Sequence, residues 1–233
     1  TFLHILKNIY IYSCDFYMVT DNYRQKGLRK KLVAELASKG IKDEQVLEAI
    51  LKVPRHAFLD KAFEEWSYKD QAFPIDCEQT ISQPYTVAFQ TSLLKLIKGE
   101  KVLEIGLGSG YQACVLFEMG AKVYSIERHK YLHDKTAQRL KHLGYMGIRT
   151  FYGDGFLGLP RFAPFDKILI TAACPEIPSK LLEQLKPGGL MVLPLESGGG
   201  VQTMVRIIKE LHENFTKEDF GHFKFVPMLK GIV

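Results

Sequence analysis

A glycine-rich turn is the strongest chemical signal in this sequence. Gly106, Gly108 and Gly110 directly follow the apolar, β-branched run 102–105 and precede an apolar helical pattern. A strand that runs into a glycine turn and then a helix brings backbone N–H groups close to a nucleotide-like ligand. The spacing is G-x-G-x-G, and Tyr111 stands where the dinucleotide fingerprint G-x-G-x-x-G/A has its last small residue. We therefore expect the turn to hold a nucleoside rather than a dinucleotide.

Three acidic residues stand where strands of the predicted sheet end. Glu104 closes the strand before the turn, and a buried acid needs a partner. We expect it to accept hydrogen bonds from N–H groups of the turn or to meet an ammonium group of the ligand. Glu127 ends the next strand, where a carboxylate suits the two hydroxyl donors of a ribose. Asp154 follows the third strand between two glycines and can accept from an exocyclic amine such as that of adenine. Simpler roles stay open: Glu127 as a surface acid beside Arg128, and Asp154 as part of an ordinary Asp-Gly turn.

The spacing of apolar residues predicts helices and strands in alternation. Helical spacing predicts helices at 23–39, 44–52, 61–65, 85–97, 111–119, 130–143 and 178–184. Apolar, β-branched runs predict strands at 101–105, 122–126, 148–152, 167–171, 190–194 and 202–208, and the segment 73–84 is expected to be mostly loop. This order indicates an α/β fold with a doubly wound, mostly parallel sheet and an N-terminal helical lead-in. Residues 18–98 are expected to form the lead-in and a substrate-side loop, and 99–233 the α/β core, in one compact unit.

Composition favours a cytoplasmic protein with a single well-filled core. Of the 233 residues, 46% are hydrophobic, which is enough for one α/β domain and a small addition. The cysteines at 14, 77, 114 and 174 form no C-x-x-C pair, so we expect neither disulfides nor a zinc site, and buried thiols at 114 and 174. No apolar stretch is long enough for a membrane span. The net charge is +5, and its densest basic cluster, 29–31, is interpreted as a solvated helix face rather than a nucleic-acid patch.

The apolar and aromatic stretch 1–17 is expected to lie outside the functional domain. Asp15 and the aromatic residues around it replace the small-residue cleavage site of a signal peptide. Met18 is interpreted as a natural start, and 1–17 as an upstream or non-native extension.

Eight short motifs follow one another along most of the chain. They are VPRHAF (53–58), QTISQP (79–84), VLEIGLGSGY (102–111), YSIER (124–128), GDG (153–155), APFD (163–166), LEQLKPGG (182–189) and FVP (225–227). The motif E-x-G-x-G-x-G alone resembles S-adenosylmethionine-dependent methyltransferases in general. The whole series resembles the protein-L-isoaspartate (D-aspartate) O-methyltransferase family, to which the string TISQP ahead of the turn is specific. The sequence departs from the family at 76–78, where bacterial members more often have a glycine-containing turn, and at 229–233, which lacks a clear counterpart of the C-terminal substrate-side residues.

The resemblance implies a class I methyltransferase with a Rossmann-like, seven-stranded sheet. Such an enzyme moves the methyl group of S-adenosylmethionine to the α-carboxyl of L-isoaspartyl residues, leaves S-adenosylhomocysteine and uses no metal. The expected partners are isoaspartyl peptides and unfolded protein segments, with no nucleic acid and no membrane, and the expected state is a monomer. The resemblance implies Ser82 as the catalytic residue. The donor-binding residues that it implies are Thr80, Ile81, Ser82, Glu104, Gly106, Leu107, Gly108, Gly110, Glu127, Asp154 and Gly155.

A carboxylate acceptor fits the absence of a general base from these motifs. A carboxyl group with a pKa of about 4 is already ionised at neutral pH, so methylation requires no proton removal. His56 is expected to be structural. Three other functions are weighed: methylation of RNA or a small molecule, a domain that holds the donor without turnover, and an NAD dehydrogenase. The sequence has no Asn/Asp-Pro-Pro-Tyr/Phe motif, which argues against methylation of RNA amines. The presence of Ser82 and of the glycines argues against a domain without turnover. Tyr111 argues against an NAD dehydrogenase.

Overall fold

A computed structural model describes residues 21–211 and 214–233, so the predictions for 1–17 and Cys14 lie outside the described residues. Its strands are β1 (Phe73–Pro74), β2 (Thr80–Ile81), β3 (Lys101–Ile105), β4 (Lys122–Glu127), β5 (Arg149–Tyr152), β6 (Phe165–Ile170), β7 (Leu185–Glu196), β8 (Gln202–Lys209) and β9 (Phe215–Phe223). The last seven form one sheet in the order β5-β4-β3-β6-β7-β8-β9. The first five strands of that order, β5, β4, β3, β6 and β7, are parallel to one another. Strand β8 is antiparallel to β7, and β9 is antiparallel to β8. The predicted doubly wound, mostly parallel sheet is confirmed.

The described residues contain six α-helices, and a side-chain cap begins each of the first two. They are α1 (Tyr23–Ser38), α2 (Glu44–Lys52), α3 (Pro84–Leu93), α4 (Tyr111–Glu118), α5 (Lys130–His142) and α6 (Ser179–Glu183), with 3-10 helices at Arg55–Phe58, Lys61–Trp66 and Pro160–Phe162. Asn22 Oδ1 accepts from the N–H of Gln25 at 3.0 Å, and Asp43 Oδ1 accepts from that of Val46 at 3.2 Å. Each bond satisfies an N–H group that the first helical turn leaves unpaired. In the part of the chain described, no helix combines the length and apolar character of a membrane span.

The direction in which the chain winds changes at β3. From β3 the chain proceeds outward to β4 and β5, then returns to β6 on the opposite side of β3. In an open α/β sheet, ligands bind in the crevice beyond the carboxyl ends of the strands at such a switch point. This topology places the glycine turn, which follows β3, at that crevice.

The segment 73–84 is mostly loop, as predicted, but it also contains a short antiparallel hairpin. Phe73 pairs with Ile81, and Cys77 and Glu78 occupy the turn with φ angles of +58° and +56°. Two left-handed residues in succession are typical of a type I′ turn, which normally has Asn-Gly. The signal was missed because this turn contains no glycine. The hairpin directly precedes Ser82 and sets the position of the TISQP string.

We expect Glu78→Gly to raise the free energy of unfolding, by about 0.5–1 kcal/mol, because glycine adopts a left-handed φ without the steric cost paid by other residues. Urea unfolding of the variant and the parent measures the difference. The exposed Glu48, inside α2, provides a control, since Glu48→Gly is expected to destabilise by about 1 kcal/mol. A Glu78→Gly variant that is less stable than the parent would contradict the strain at this turn.

Several element boundaries differ from the predictions. Helix α3 ends at Leu93 rather than at 97, and Lys95 then takes a left-handed φ of +47°. Strand β7 begins at Leu185, so the segment Lys186-Pro187-Gly188-Gly189 lies inside the strand rather than before it. Strand β9 was not predicted, because most of its residues are exposed and polar and show no apolar alternation.

The N-terminal helical region and the sheet share one hydrophobic core. A single cluster of buried residues contains Leu32 and Phe58 from the lead-in together with Val102 and Leu116 from the α/β core. This sharing supports the proposal that both regions form one compact unit. The other face of the sheet packs a second cluster around Ile168. Cys114 and Cys174 are buried free thiols, as expected.

The basic cluster 29–31 does not form a continuous surface. Arg29 is buried, and its guanidinium pairs with Asp21 at 2.8 Å and donates to Tyr68 Oη at 3.1 Å. Of the three residues of this cluster, Lys30 and Lys31 are exposed and Arg29 is not.

Candidate active site

The glycine turn connects β3 to α4 at the switch point of the sheet. Gly106, Gly108 and Gly110 have φ angles of +98°, +51° and +89°, in the region that glycine adopts without steric cost. The N–H groups of Gly106 and Leu107 donate to the carbonyl of Ile126 at 2.9 and 3.0 Å. These bonds fix the turn against the end of β4.

Protein atoms surround two of the three glycines closely, but not Gly108. A Cβ atom on Gly106 would collide with the hydroxyl of Thr171, and one on Gly110 would lie 2.8 Å from Thr136 Cγ2. A Cβ atom on Gly108 would meet nothing nearer than Ile75 Cδ1 at 3.7 Å. The backbone of Gly108 therefore faces space that a ligand can use.

Glu127 holds the turn and retains hydrogen-bonding capacity. Its side chain is buried at the end of β4, where Oε2 accepts from the N–H of Gly108 at 2.9 Å and Oε1 from that of His129 at 3.0 Å. A carboxylate oxygen has two lone pairs, so each oxygen can accept one further hydrogen bond. Glu127 therefore keeps acceptors for the two hydroxyl groups of a ribose, and its binding to a ribose stays a prediction.

Glu104 is a fully buried acid with one oxygen unpaired. The Ser125 hydroxyl, directly opposite on β4, donates to its Oε2, whereas Oε1 has no hydrogen-bond partner among the described residues. Desolvation raises the pKa of Glu104 to about 8, the Ser125 hydrogen bond lowers it in part, and the charge of Glu127 raises it. The first alternative for Glu104 is not found, since the N–H groups of Gly106, Leu107, Gly108 and Gly110 donate to other acceptors. An ammonium group of a ligand, the second alternative, would supply the missing partner.

Asp154 lies after β5 and contacts the last described segment of the chain. Its Oδ1 accepts from the N–H of Phe156 and its Oδ2 from that of Gly231, both at 2.8 Å. Gly155 packs closely on β3, because a Cβ atom there would lie 2.5 Å from Ile105 Cγ2. The sequence indicated no role for the segment 229–233. In the structure this segment anchors Asp154 through the N–H of Gly231.

A cleft of about 670 Å³ lies between the TISQP string and β9, and Thr171, which donates to the carbonyl of Gly106, is among its lining residues. Thr80 and Ser82 line one wall and Thr171 contributes to the floor. Aromatic and basic residues form the opposite wall: Phe220, His222, Phe223, Lys224 and Phe225. The side chain of Ile81 instead packs in the hydrophobic core, so only its backbone can face the cleft.

His56 is buried, and its Nδ1 lies 2.7 Å from Tyr68 Oη. This position among core residues agrees with the structural role expected for it. Among the described residues, no group of three or more His, Cys, Asp or Glu side chains could hold a metal ion.

The comparison with protein families decides the classification. Residues 27–232 match the family model of protein-L-isoaspartate(D-aspartate) O-methyltransferase. The chain belongs to this family. Among curated members it is 54% identical to the protein-L-isoaspartate O-methyltransferase of Christiangramia forsetii over 210 residues, covering 90% of this chain and 98% of that protein. It is 56% identical to that of Cytophaga hutchinsonii over 209 residues, covering 90% and 94%.

Solved structures of isoaspartate methyltransferases share the fold. One protein-L-isoaspartate O-methyltransferase superposes with a TM-score of 0.78 at 29% identity, covering 85% of this chain and 65% of that longer chain. A Plasmodium falciparum protein described as a putative protein-L-isoaspartate O-methyltransferase, in complex with S-adenosyl-L-homocysteine, superposes with a TM-score of 0.76 at 24% identity and covers 87% and 99%. At that identity the second likeness supports the fold alone.

Two residues that sequence reasoning did not single out lie against the family motifs. Thr171, after β6, places its hydroxyl 2.9 Å from the carbonyl oxygen of Ile105 and 3.0 Å from that of Gly106, and donates to them. Arg55, within VPRHAF, is fully buried and donates to the backbone carbonyl of Ser82. The motif pointed to the segment, but only the tertiary contact connects Arg55 with Ser82.

Proposed function

We propose that this chain moves a methyl group from S-adenosylmethionine to the α-carboxylate of an L-isoaspartyl residue in a damaged protein. The observation that carries the proposal is the convergence of Glu104, Glu127 and Asp154 on the carboxyl ends of three neighbouring strands. Glu127 hydrogen-bonds to the glycine turn, and Thr171, which donates to the carbonyl of Gly106, connects the turn to the cleft that contains Ser82. Membership of the isoaspartate methyltransferase family supports the same reaction.

The residues at the turn fit the chemical groups of S-adenosylmethionine. Glu127 has a free acceptor on each oxygen for the ribose diol, and Asp154 suits the adenine amine. The unpaired Oε1 of Glu104 suits the ammonium group of the methionine part. The proposed point of close backbone approach is Gly108, whereas Gly106 and Gly110 shape the turn, Leu107 packs in the core and Gly155 packs on β3. When bound, S-adenosylmethionine supplies an electrophilic methyl group on a sulfonium ion.

The acceptor side needs to orient a carboxylate rather than activate it. An α-carboxyl group with a pKa near 4 is already ionised, so no residue must remove a proton. Ser82 lines the cleft, and its hydroxyl can donate one hydrogen bond to the carboxylate. Thr80 lines the same cleft, whereas Ile81 packs in the core behind it. The role proposed for Ser82 is to point one carboxylate oxygen at the methyl group.

The cleft favours this reaction by alignment and by low polarity. Holding two reactants in line can be worth ~7–11 kcal/mol of the barrier. Methyl transfer joins an anion to a cation and neutralises both charges, so a site that excludes water favours the reaction. Phe89, Phe223 and Phe225 form an apolar part of the cleft that serves this purpose.

The methyl ester reacts further without the enzyme. The amide nitrogen that follows the modified residue attacks the ester carbonyl and loses its proton, methanol leaves, and a succinimide ring closes. Water opens this ring and returns part of the product as normal aspartate. The proposed substrates are isoaspartyl residues in flexible or unfolded segments, and the cleft should therefore recognise extended backbone more than particular side chains.

We expect Ser82→Ala to lower turnover on an isoaspartyl peptide roughly 5- to 150-fold, the equivalent of the about 1–3 kcal/mol that loss of a buried hydrogen bond costs. The affinity for S-adenosylhomocysteine should change less than twofold, because Glu104, Glu127 and Asp154 make the principal proposed contacts to the donor. Transfer of tritiated methyl to the peptide measures turnover, and the same peptide with normal aspartate tests specificity. Ser92→Ala in α3, the helix that follows Ser82, is the control, since Ser92 Oγ donates to the carbonyl of Ala88 within that helix. Unchanged turnover in Ser82→Ala would remove Ser82 from the mechanism.

The same assay separates the alternative functions. Methyl transfer to RNA but not to the peptide would favour a nucleic-acid methyltransferase, and donor binding without transfer would favour a non-catalytic domain. A cytoplasmic location, a monomeric state and the absence of nucleic-acid and membrane partners stay predictions of the sequence. Size-exclusion chromatography with light scattering tests the monomer.

A further inference from the structure

Arg55 places a positive charge in the interior beside the segment that carries Ser82. It is the first residue of the 3-10 helix Arg55–Phe58, and its side chain has no solvent exposure. Among the described residues no carboxylate forms an ion pair with it. A buried guanidinium without an acidic partner is costly, so its hydrogen bonds must be made elsewhere.

Backbone carbonyls from three segments supply those hydrogen bonds. Arg55 Nε donates to the carbonyl of Ser67 at 3.0 Å. Its Nη2 donates to the carbonyl of Ser82 at 2.8 Å and to that of Gln71 at 3.4 Å. The planar guanidinium thus connects the lead-in, the approach to the hairpin and the TISQP string.

Arg55 also contacts the donor side of the site. Its guanidinium carbon lies 4.8 Å from the ring centroid of Tyr111, within the range of a cation–π contact. Tyr111 is fully buried and is the first residue of α4, directly after Gly110. One side chain therefore touches both the backbone of Ser82 and the residue that follows the glycine turn.

We propose that Arg55 is a positioning residue that sets the direction and distance of the Ser82 hydroxyl relative to the glycine turn. This inference rests on the proposed function of Ser82 as the group that orients the acceptor carboxylate. By holding the Ser82 carbonyl, Arg55 restricts the backbone from which the hydroxyl projects. By stacking on Tyr111, it keeps that backbone in register with the start of α4.

The test is Arg55→Lys, which keeps the charge but cannot maintain a planar fork to several carbonyls. We expect kcat on an isoaspartyl peptide to fall at least tenfold, while the affinity for S-adenosylhomocysteine, measured by calorimetry, changes less than twofold. In a Ser82→Ala background the same substitution should lower kcat less than twofold further, because the residue through which Arg55 acts is already absent.

The matched control is Arg29→Lys. Arg29 is likewise buried in the helical lead-in, but its guanidinium pairs with Asp21 and Tyr68. The Arg29→Lys variant should have a lower free energy of unfolding than the parent. Its kcat should equal that of the parent at a temperature where the variant is folded. Circular dichroism checks folding throughout, and Arg55→Gln, which keeps two N–H donors without charge, serves as the second variant in the same cycle.

The outcomes distinguish this inference from the proposed function. Full activity in Ser82→Ala would contradict the proposed function and with it the role of Arg55. If Ser82→Ala lowers kcat and Arg55→Lys leaves kcat unchanged, the role of Arg55 is overturned and the proposed function stands. Equal losses from Arg55→Lys in both backgrounds, or loss of folding in both Arg55 variants, would also overturn it and assign Arg55 to stability.

Discussion

Glu127→Ala is expected to weaken the binding of S-adenosylhomocysteine about a hundredfold, because two hydrogen bonds to a charged group, at roughly 1.5 kcal/mol each, are lost. The substitution removes both proposed acceptors of the ribose hydroxyls. It also releases the N–H of Gly108, which the carboxylate holds at 2.9 Å, and so loosens the turn itself. Calorimetric titration gives the dissociation constant directly.

Glu127→Gln separates these two contributions, since the amide keeps one oxygen acceptor and replaces the other with a donor. Its affinity should fall between those of the parent and Glu127→Ala. The exposed Glu183 on α6 supplies a control, and Glu183→Ala should bind like the parent. An affinity of Glu127→Ala within about twofold of the parent would refute the assignment of Glu127 to the ribose.

The second large effect is a dependence of stability on pH that Glu104→Gln should remove. Burial raises the pKa of Glu104 from its ordinary value of 4.5 to about 8 in the folded protein. Below pH 4.5 the carboxyl group of Glu104 is protonated in both the folded and the unfolded state, so it does not make the free energy of unfolding depend on pH. Between pH 4.5 and 8 the unfolded chain releases this proton while the folded protein keeps it, so the free energy of unfolding falls as pH rises. At about 1.4 kcal/mol per pKa unit, the whole loss is on the order of 5 kcal/mol and is complete above the folded-state pKa.

Denaturant unfolding at intervals from pH 5 to pH 8.5 measures this slope. The parent should lose stability relative to Glu104→Gln across the range, and the two curves should diverge most at the alkaline end. Glu48→Gln, at an exposed position on α2, should follow the parent. Parallel curves for the parent and Glu104→Gln would mean that the carboxyl group does not keep its proton in the folded protein.

The donor half of the site was predictable because its signals are local in the sequence. The run 102–111 contains strand, turn and helix start in succession, and the ends of β3 and β4 fall where apolar runs stop. Strand alternation and glycine spacing therefore place Glu104 and Glu127 at the same edge of the sheet. The positions of these residues required no knowledge of distant contacts.

The acceptor half could not be predicted in the same way. The hairpin before Ser82 turns at Cys77 and Glu78, residue types that rarely adopt a left-handed φ. The hydrogen bond from Arg55 to the Ser82 carbonyl joins residues 27 positions apart. The N–H of Gly231 reaches Asp154 across 77 positions. Such contacts depend on tertiary packing, which neither periodicity nor turn chemistry encodes.

Strand β9 has a consequence for self-association. It forms one border of the sheet, where an unpaired row of backbone groups invites pairing with another chain. Its residues Lys217, Glu218 and Asp219 are charged, Gly221 within it takes a φ of +87°, and its register with β8 shifts between Thr203 and Val205. Because its proposed substrates are unfolded chains, this protein repeatedly meets extended segments whose backbone N–H and C=O groups are unpaired. A charged and irregular border keeps those encounters from ending in aggregation.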